Sequence, residues 1–369
     1  MNVYFVYEGR LGSTRADSTY VQENAVVTKS LAKVSVINSR RKNWTLSEAV
    51  KSEFKVINLG KPFEPKNIFQ SIKGQLLFGL NIRKFLNTST ELPCILIFHN
   101  WWALQALHGI RRNRKKILLV LEVHDQLPLR GLWPKAFAHV DLFIATNRYK
   151  FEELTPYFAD KLLLEKNSVR LSRYESASDT EHIKASWGAK EGGFVLGYTG
   201  SFGPEKNPGF LAECARQSSD TFLIVGSLPL LLKPIYQEIG NVLILGQRSR
   251  NEIPSIQFSC DALVITLDPN SKQSSLYTST MKMMEYVAAK RPIVAPELPA
   301  ILEMLDESEF YKFKADSVQS FLDAVDLLKS DIRRGSVRMP RESRLIEYSW
   351  VERNKRILAK CEELLASSD

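Results

Sequence analysis

The sequence is poor in cysteine: Cys94, Cys214, Cys260 and Cys361 are the four in 369 residues, far apart and never as CxxC. That spacing implies neither a zinc site nor a disulfide framework and predicts reduced, mostly buried thiols. No apolar run approaches the roughly 18 residues that a membrane-spanning helix needs. The start, MNVYFVYEGR, has no basic stretch followed by an apolar core. It reads as a first strand, not a secretory signal, and a cytoplasmic protein is expected. Familiar catalytic signatures are missing as well: no D-x-D, no G-x-G-x-x-G after a strand, no H-E-x-x-H, no P-loop and no G-x-S-x-G. Metal-anchored sugar transfer, dinucleotide binding, zinc proteolysis and serine hydrolysis therefore lack their usual residues. Solenoid-length repeats and low-complexity tracts are absent too.

What is present suits two globular domains. The chain has 369 residues, 44% hydrophobic and 25% charged, long enough for two cores. The net charge of +9 is unevenly spread. Residues 1–170 hold 26 Lys/Arg against 14 Asp/Glu, a net of +12, and the remainder holds 24 against 27, a net of −3. The densest basic run is Arg111, Arg112, Arg114, Lys115 and Lys116. Such a half points to an anionic membrane surface or an anionic acceptor as partner, if it is not simply a solvated face. No nucleic-acid recognition motif accompanies it, so nucleic acid is not an expected partner.

β-rich runs and helical patterns alternate from end to end. Val3–Tyr7, Val34–Asn38, Val56–Leu59, Cys94–His99, Ile117–His124 and Leu142–Thr146 read as strands, with helices over Val21–Lys33, Asn67–Leu86 and Arg148–Phe158. A second series runs Phe194–Tyr198, Thr221–Val225, Val242–Leu245, Ala262–Thr266 and Pro292–Ala295. This alternation predicts parallel, doubly wound sheets covered on both faces. Such sheets bind ligands at the carboxyl ends of their strands.

The segment Tyr277–Leu305, YTSTMKMMEYVAAKRPIVAPELPAILEML, is the most informative. A hydroxyl-rich loop runs into a helix, and Lys290-Arg291-Pro292 ends it before a buried strand. A helix start of this kind offers free backbone N–H groups and a positive dipole end to a diphosphate. Glu285 lies five residues past Thr280, roughly 7.5 Å further along the axis, a suitable offset for sugar hydroxyls. The segment resembles the donor-site signature of the retaining GT-B glycosyltransferases of family 4, whose Glu-x7-Glu pair brackets such a helix start. Glu285 matches the second glutamate; Tyr277 stands at the first and Lys290 at the usual glycine.

The resemblance implies the rest of the site. In the family the loop after the second domain's first strand carries an Arg and a Lys that neutralise the leaving diphosphate. Here, in Gly197–Pro208, Lys206 matches the Lys and Ser201 stands at the Arg. Gln247 and Arg248 match the loop that holds the nucleotide base, and Gly12 the glycine-bearing loop after the chain's first strand. His124, at the end of an apolar strand, matches the histidine beside the reactive sugar; His99 is a similar strand-end histidine. Trp101, Trp102 and Trp133 are candidates for stacking on acceptor sugars, though more often such residues are core or rim aromatics. Catalytic roles are thus implied for His124, Lys206 and Glu285. Donor binding is implied for Gly12, Ser201, Gln247, Arg248, Tyr277, Ser279, Thr280 and Met281 beside Lys206 and Glu285.

The resulting expectation is an α/β fold of two Rossmann-like domains in the GT-B arrangement. Residues 1–170 form the acceptor side, 171–340 the nucleotide-sugar side, and a helix in 341–369 crosses back to the first domain. The implied activity is retaining transfer from a nucleotide-sugar, with a uracil base expected, to a glycan or lipid-linked acceptor, without metal or other cofactor. A nucleotide-sugar 2-epimerase and a non-catalytic, transferase-derived subunit remain open alternatives, the latter because of Tyr277 and Ser201.

Overall fold

The computed structural model describes residues 1–13, 15–88, 91–110, 116–124, 126–131, 133–175, 183–184, 186–189 and 192–367. Residues 111–115 of the basic run and Asp125 lie outside these, as does the side chain of Trp133. The chain divides into two compact units, Met1–Lys166 with Trp350–Asp369, and Asn167–Ser349. The division falls at 166/167 and 349/350, against expected boundaries of 170/171 and 340/341. Asn167 is tied to the second unit: its backbone N–H donates to Ser279 Oγ at 3.0 Å, and its amide donates to the Ser279 carbonyl.

The first unit holds seven parallel strands: β1 (Asn2–Tyr7), β2 (Lys33–Arg41), β3 (Lys55–Phe63), β4 (Cys94–Phe98), β5 (Ile117–Val123), β6 (Leu142–Ala145) and β7 (Leu162–Leu164). Their order is β3-β2-β1-β4-β5-β6-β7, so the winding reverses between β1 and β4. The second unit repeats the plan with β8 (Val195–Thr199), β9 (Thr221–Val225), β10 (Val242–Gly246), β11 (Ala262–Val264), β12 (Ile293–Pro296) and β13 (Tyr311–Phe313). Its order, β10-β9-β8-β11-β12-β13, reverses between β8 and β11. Both are Rossmann-like sheets, and each offers a crevice at its switch point. Alternate residues of the second sheet feed two cores, Leu223, Leu263 and Ile293 on one face and Leu196, Phe222 and Val294 on the other. That is the period-two consequence of a sheet buried on both sides.

Helices that position the sites are α1 (Ala16–Thr28), α2 (Ile68–Thr88), α3 (Arg148–Phe158), α4 (Pro208–Gln217), α5 (Met281–Ala288), α6 (Val318–Arg334) and α7 (Trp350–Ala366). Helix α1 starts five residues before the expected Val21. Its buried face is largely polar, with Ser18, Gln22, Glu23, Asn24 and Thr28, so apolar periodicity does not mark it. Most of those polar groups find partners within the helix or on α7: Gln22 Nε2 donates to the Ser18 carbonyl at 3.0 Å, and Asn354 Nδ2 of α7 donates to Thr28 Oγ1 at 2.8 Å. Strands β7 and β13, three residues each, are too short to show a pattern. All four cysteines are free and buried, and burial pushes the Cys214, Cys260 and Cys361 thiols up to about 12.

Helix α7 returns to the first unit as expected and is fastened there by charge. Arg353 donates to Glu122 Oε1 at 2.6 Å, with both side chains 1% exposed. Its Nε donates to the Lys166 carbonyl at 2.9 Å, and Tyr20 Oη donates to the same Glu122 oxygen at 2.9 Å. One turn later Arg356 grips Glu165 with two bonds of 2.7 and 2.8 Å. Removing one partner of a buried pair leaves an uncompensated charge. Arg353→Met should therefore cost about 3–5 kcal/mol, read as a lower urea midpoint at unchanged slope. Adding Glu122→Gln should recover part of that loss. Simple additivity of the two substitutions would show that the pair is not coupled.

Candidate functional site

In the second unit the site is built around the β8/β11 switch point. Tyr286, on α5, ties that helix to both strands. Its hydroxyl accepts from the Thr199 backbone N–H at 3.0 Å and donates to the Val264 carbonyl at 3.3 Å. The start of α5 is thereby held at the carboxyl edge of the sheet. Thr280 is its N-cap, but its side chain makes no capping bond, so the first-turn N–H groups are left to other acceptors. The loop after β8 lies beside it. Gly200 has φ +137°, and its backbone lies so near the neighbouring loop that a Cβ on Gly226 would stand 2.0 Å from the Gly200 oxygen. A side chain at either position would close the turn.

Lys206 ends the short 3-10 turn Pro204–Lys206, and Thr266 Oγ1 fixes its carbonyl. Burial lowers the Lys206 pKa. Ser201 is exposed, and its carbonyl accepts from Tyr198 Oη at 2.7 Å. Ser279 Oγ already accepts from Asn167, as described. Tyr277, Met281 and Glu285 are partly exposed around the helix start. Gln247 and Arg248 are exposed just past β10, the edge strand two places from β8, and Arg248 lies 3.8 Å from Glu252.

One residue that sequence reasoning passed over stands at the centre. Lys282, in the first turn of α5, is 8% exposed. Its Nζ has no hydrogen-bond partner among the described residues and lies 3.4 Å over the Tyr198 ring. A Cβ on Gly200 would come within 3.2 Å of that Nζ, so the amine lies over the glycine turn. Burial, and then the charge of Lys206, holds the Lys282 pKa well below the ordinary lysine value. A signal was available: Lys282 shares a helix face with Tyr286 and Ala289, at spacings of four and seven, and both are buried.

In the first unit the loops after β1, β4 and β5 carry Gly12, His99 and His124. Gly12 needs its left-handed φ of +84°, and its N–H donates to Ser18 Oγ at 3.0 Å. Glu122 organises the histidines. Its Oε2 lies 2.8 Å from His99 Nδ1 and 3.9 Å from His124 Nε2, while Arg353 and Tyr20 hold Oε1. Tyr20 meets both imidazoles edge-on, with centroids at 5.1 and 4.8 Å. Burial opposes ionisation of Glu122, yet Arg353 and the histidines keep its pKa well below the usual carboxylate value. Ligand atoms of His99, Glu122 and His124 lie within 4.8 Å of one another, spacing that a metal ion would accept. The guanidinium already bonded to the same carboxylate disfavours a further cation there. Trp101 and Trp102 stack on each other at 3.9 Å, and Trp101 also packs edge-on against Phe137 at 5.6 Å.

Residues 193–331 match the family model described as glycosyl transferases group 1. The matched residues lie within the second unit. No curated protein matches the sequence. Among solved structures, HepE of Anabaena in complex with UDP and glucose superposes with a TM-score of 0.71 at 14% identity, over 98% of this chain and all (100%) of that one. Sucrose-phosphate synthase of Thermosynechococcus elongatus gives 0.75 at 12% identity, over 99% of each chain. The lipopolysaccharide outer core galactosyltransferase WaaB, in its apo form, gives 0.64 at 14%, over 98% and 100%. At these identities the likeness is one of fold, the two-unit α/β fold of GT-B proteins.

His124 carries a test of the first unit's electrostatics. Burial lowers its pKa and Glu122 opposes the shift. NMR titration should find His124 half-protonated below the ordinary value of about 6.5. A midpoint above it would mean that the Glu122 charge outweighs desolvation.

Proposed function

We propose that the protein is a retaining glycosyltransferase. It moves a sugar from a nucleotide-diphosphate sugar, with uracil the expected base, to a glycan or lipid-linked acceptor at a membrane, in cell-surface polysaccharide synthesis. The observation that carries the reading is Lys282: a buried amine with no hydrogen-bond partner among the described residues, lowered in pKa by burial and by the charge of Lys206, at a helix start and over a glycine turn. A diphosphate supplies what each of these lacks, two negative charges and several acceptor oxygens. HepE, with UDP and glucose in its structure, and WaaB, named for its galactosyl transfer, support the substrate class.

In this reading the bond from the anomeric carbon to the leaving phosphate oxygen breaks, and charge develops on the diphosphate. Lys206, Lys282 and the first turn of α5 stabilise that charge in a preorganised site. Lys282 thus provides the second cation that Ser201 does not. These groups supply the charge that a metal ion provides elsewhere, so the reading needs none. Glu285, more than a turn into α5, accepts from the ribose hydroxyls, with Tyr277, Ser279, Thr280 and Met281 around the donor. Gln247 and Arg248 are assigned to the base; Gly12 and His124, in the first unit, keep the roles that the family resemblance implies for them. Glu122 is held by Arg353 and Tyr20, which makes it a poor nucleophile for double displacement. Attack from the face that the leaving group vacates, with the leaving phosphate taking the acceptor's proton, retains the configuration. A 2-epimerase would instead convert donor incubated alone, and a non-catalytic subunit would turn over nothing.

Two variants test the donor site. Glu285→Ala should weaken UDP binding by about 1.5–3 kcal/mol in calorimetry, with the melting temperature held; unchanged affinity would remove the ribose role. Lys282→Met should act with opposite signs on stability and binding. A lysine whose folded pKa is depressed costs stability as pH falls from its unfolded value toward its folded one, so at neutral pH the wild type carries that cost. Removing the unsatisfied amine should raise stability by about 1–3 kcal/mol while UDP affinity falls. If UDP binds the variant as tightly as the wild type, the diphosphate does not meet Lys282.

A further inference from the structure

The first unit has an amphiphilic surface that the donor site does not use. The 21 residues of α2 include no acid. At 100° per residue Phe69, Lys73, Leu76, Leu80, Arg83 and Lys84 fall on one face, at spacings of 4, 7, 11, 14 and 15. Phe69 is 80% and Leu80 52% exposed. Beside this helix, at the carboxyl ends of β2 and β3, is a cavity of about 410 Å³. Arg40, Arg41 and Lys61 line it together with Phe63, Leu77 and Phe78. Arg41 is fixed by a 2.7 Å bond from its Nε to the Glu8 carbonyl. Gly74 makes room for the Phe63 ring, since a Cβ there would come within 2.3 Å of it. Glu8 is the single acid in the lining, and burial raises its carboxyl pKa.

We propose that α2 and this cavity form a docking site for an anionic bilayer. The apolar residues of α2 enter the interface, its cations meet the headgroups, and the cavity takes the phosphate of one anionic lipid. Charge complementarity selects this occupant: cations without acids among large exposed apolar side chains are what an interfacial helix presents. Two copies pairing through this face by a twofold axis would set Lys73, Arg83 and Lys84 against themselves. A nucleic acid would leave Phe69 and Leu80 without a partner. The inference deepens the membrane part of the proposed function and is independent of the donor-site part.

Co-sedimentation with phosphatidylglycerol or phosphatidylcholine vesicles, at low and high salt, tests it. The wild-type protein should partition to the anionic vesicles at least about tenfold more strongly at low salt, and lose most of that binding at high salt. Phe69→Glu with Leu80→Glu, at exposed positions, should cut partitioning about tenfold or more with the melting temperature held. Arg40→Gln with Lys61→Gln should weaken binding to the anionic vesicles alone. UDP affinity, measured in parallel, should be the same in all three proteins; its absence from all would remove the donor reading and leave the vesicle result standing. Equal binding to both lipids, or undiminished binding by the α2 variant, would overturn the docking site. So would sedimentation showing a wild-type dimer that the α2 variant dissolves, which would make the face a contact between copies.

Discussion

The buried Glu122–Arg353 pair is the constraint on which the first unit depends. Glu122 closes β5 and Arg353 lies in the first turn of α7, 231 residues apart in sequence. Their contact brings the end of the chain back to the sheet where it began, so the second unit is an insertion between Lys166 and Trp350. The pair is expensive to desolvate, and what offsets that cost is its company. Tyr20, the Lys166 carbonyl and His99 surround the charges, and the Trp350 ring lies 5.2 Å from the guanidinium.

That arrangement reaches the candidate chemistry directly. The carboxylate that binds the returning helix through one oxygen orients the strand-end histidines through the other. Any slackening of α7 would alter the charge that His124 and His99 feel. The same economy holds in the second unit, where the Tyr286 hydroxyl joins β8 to β11 and also sets the height of α5. In each unit a residue that ties a helix to the sheet also places side chains near the carboxyl ends of the strands.

Most of the architecture was legible because apolar runs bounded by turns mark buried parallel strands, and helix α3 falls on the expected residues. Legibility failed where tertiary context decides. The polar face of α1 is readable only with α7 against it, and β7 and β13 owe their existence to neighbouring strands. In the site, motif resemblance led to the Lys206 loop and to Glu285 but not to Lys282. A lysine two residues into a helix is ordinarily solvated; here Gly200 and Tyr198 enclose it, and neither contact is local in sequence. The basic surface is a comparable case. Its densest run, Arg111–Lys116, falls largely outside the described residues. The cations of α2 and the cavity beside it attract less notice in the sequence because they are spread across β2, β3 and the helix.

Buried charge is treated in two ways in this chain, and the contrast sets the candidate site apart from the structural pairs. Glu122, Arg353, Glu165 and Arg356 are paired with good geometry, and groups satisfied in this way hold a fold together without asking for a ligand. Lys282 and Lys206 are both desolvated and Lys206 lowers the Lys282 pKa further, while the amine of Lys282 has no hydrogen-bond partner among the described residues. A fold selected for stability alone would place a methionine at 282, since an unsatisfied buried amine is a standing cost. Such a cost persists where something outside the chain removes it, and the groups converging here (two ammonium donors, a helix start and a side-chain-free turn) are complementary to one class of ligand, a compact polyanion. Binding that ligand restores to Lys282 the charge that burial suppresses. The site is therefore least comfortable when empty, and a bound polyanion would remove the cost that the unsatisfied amine imposes on the fold.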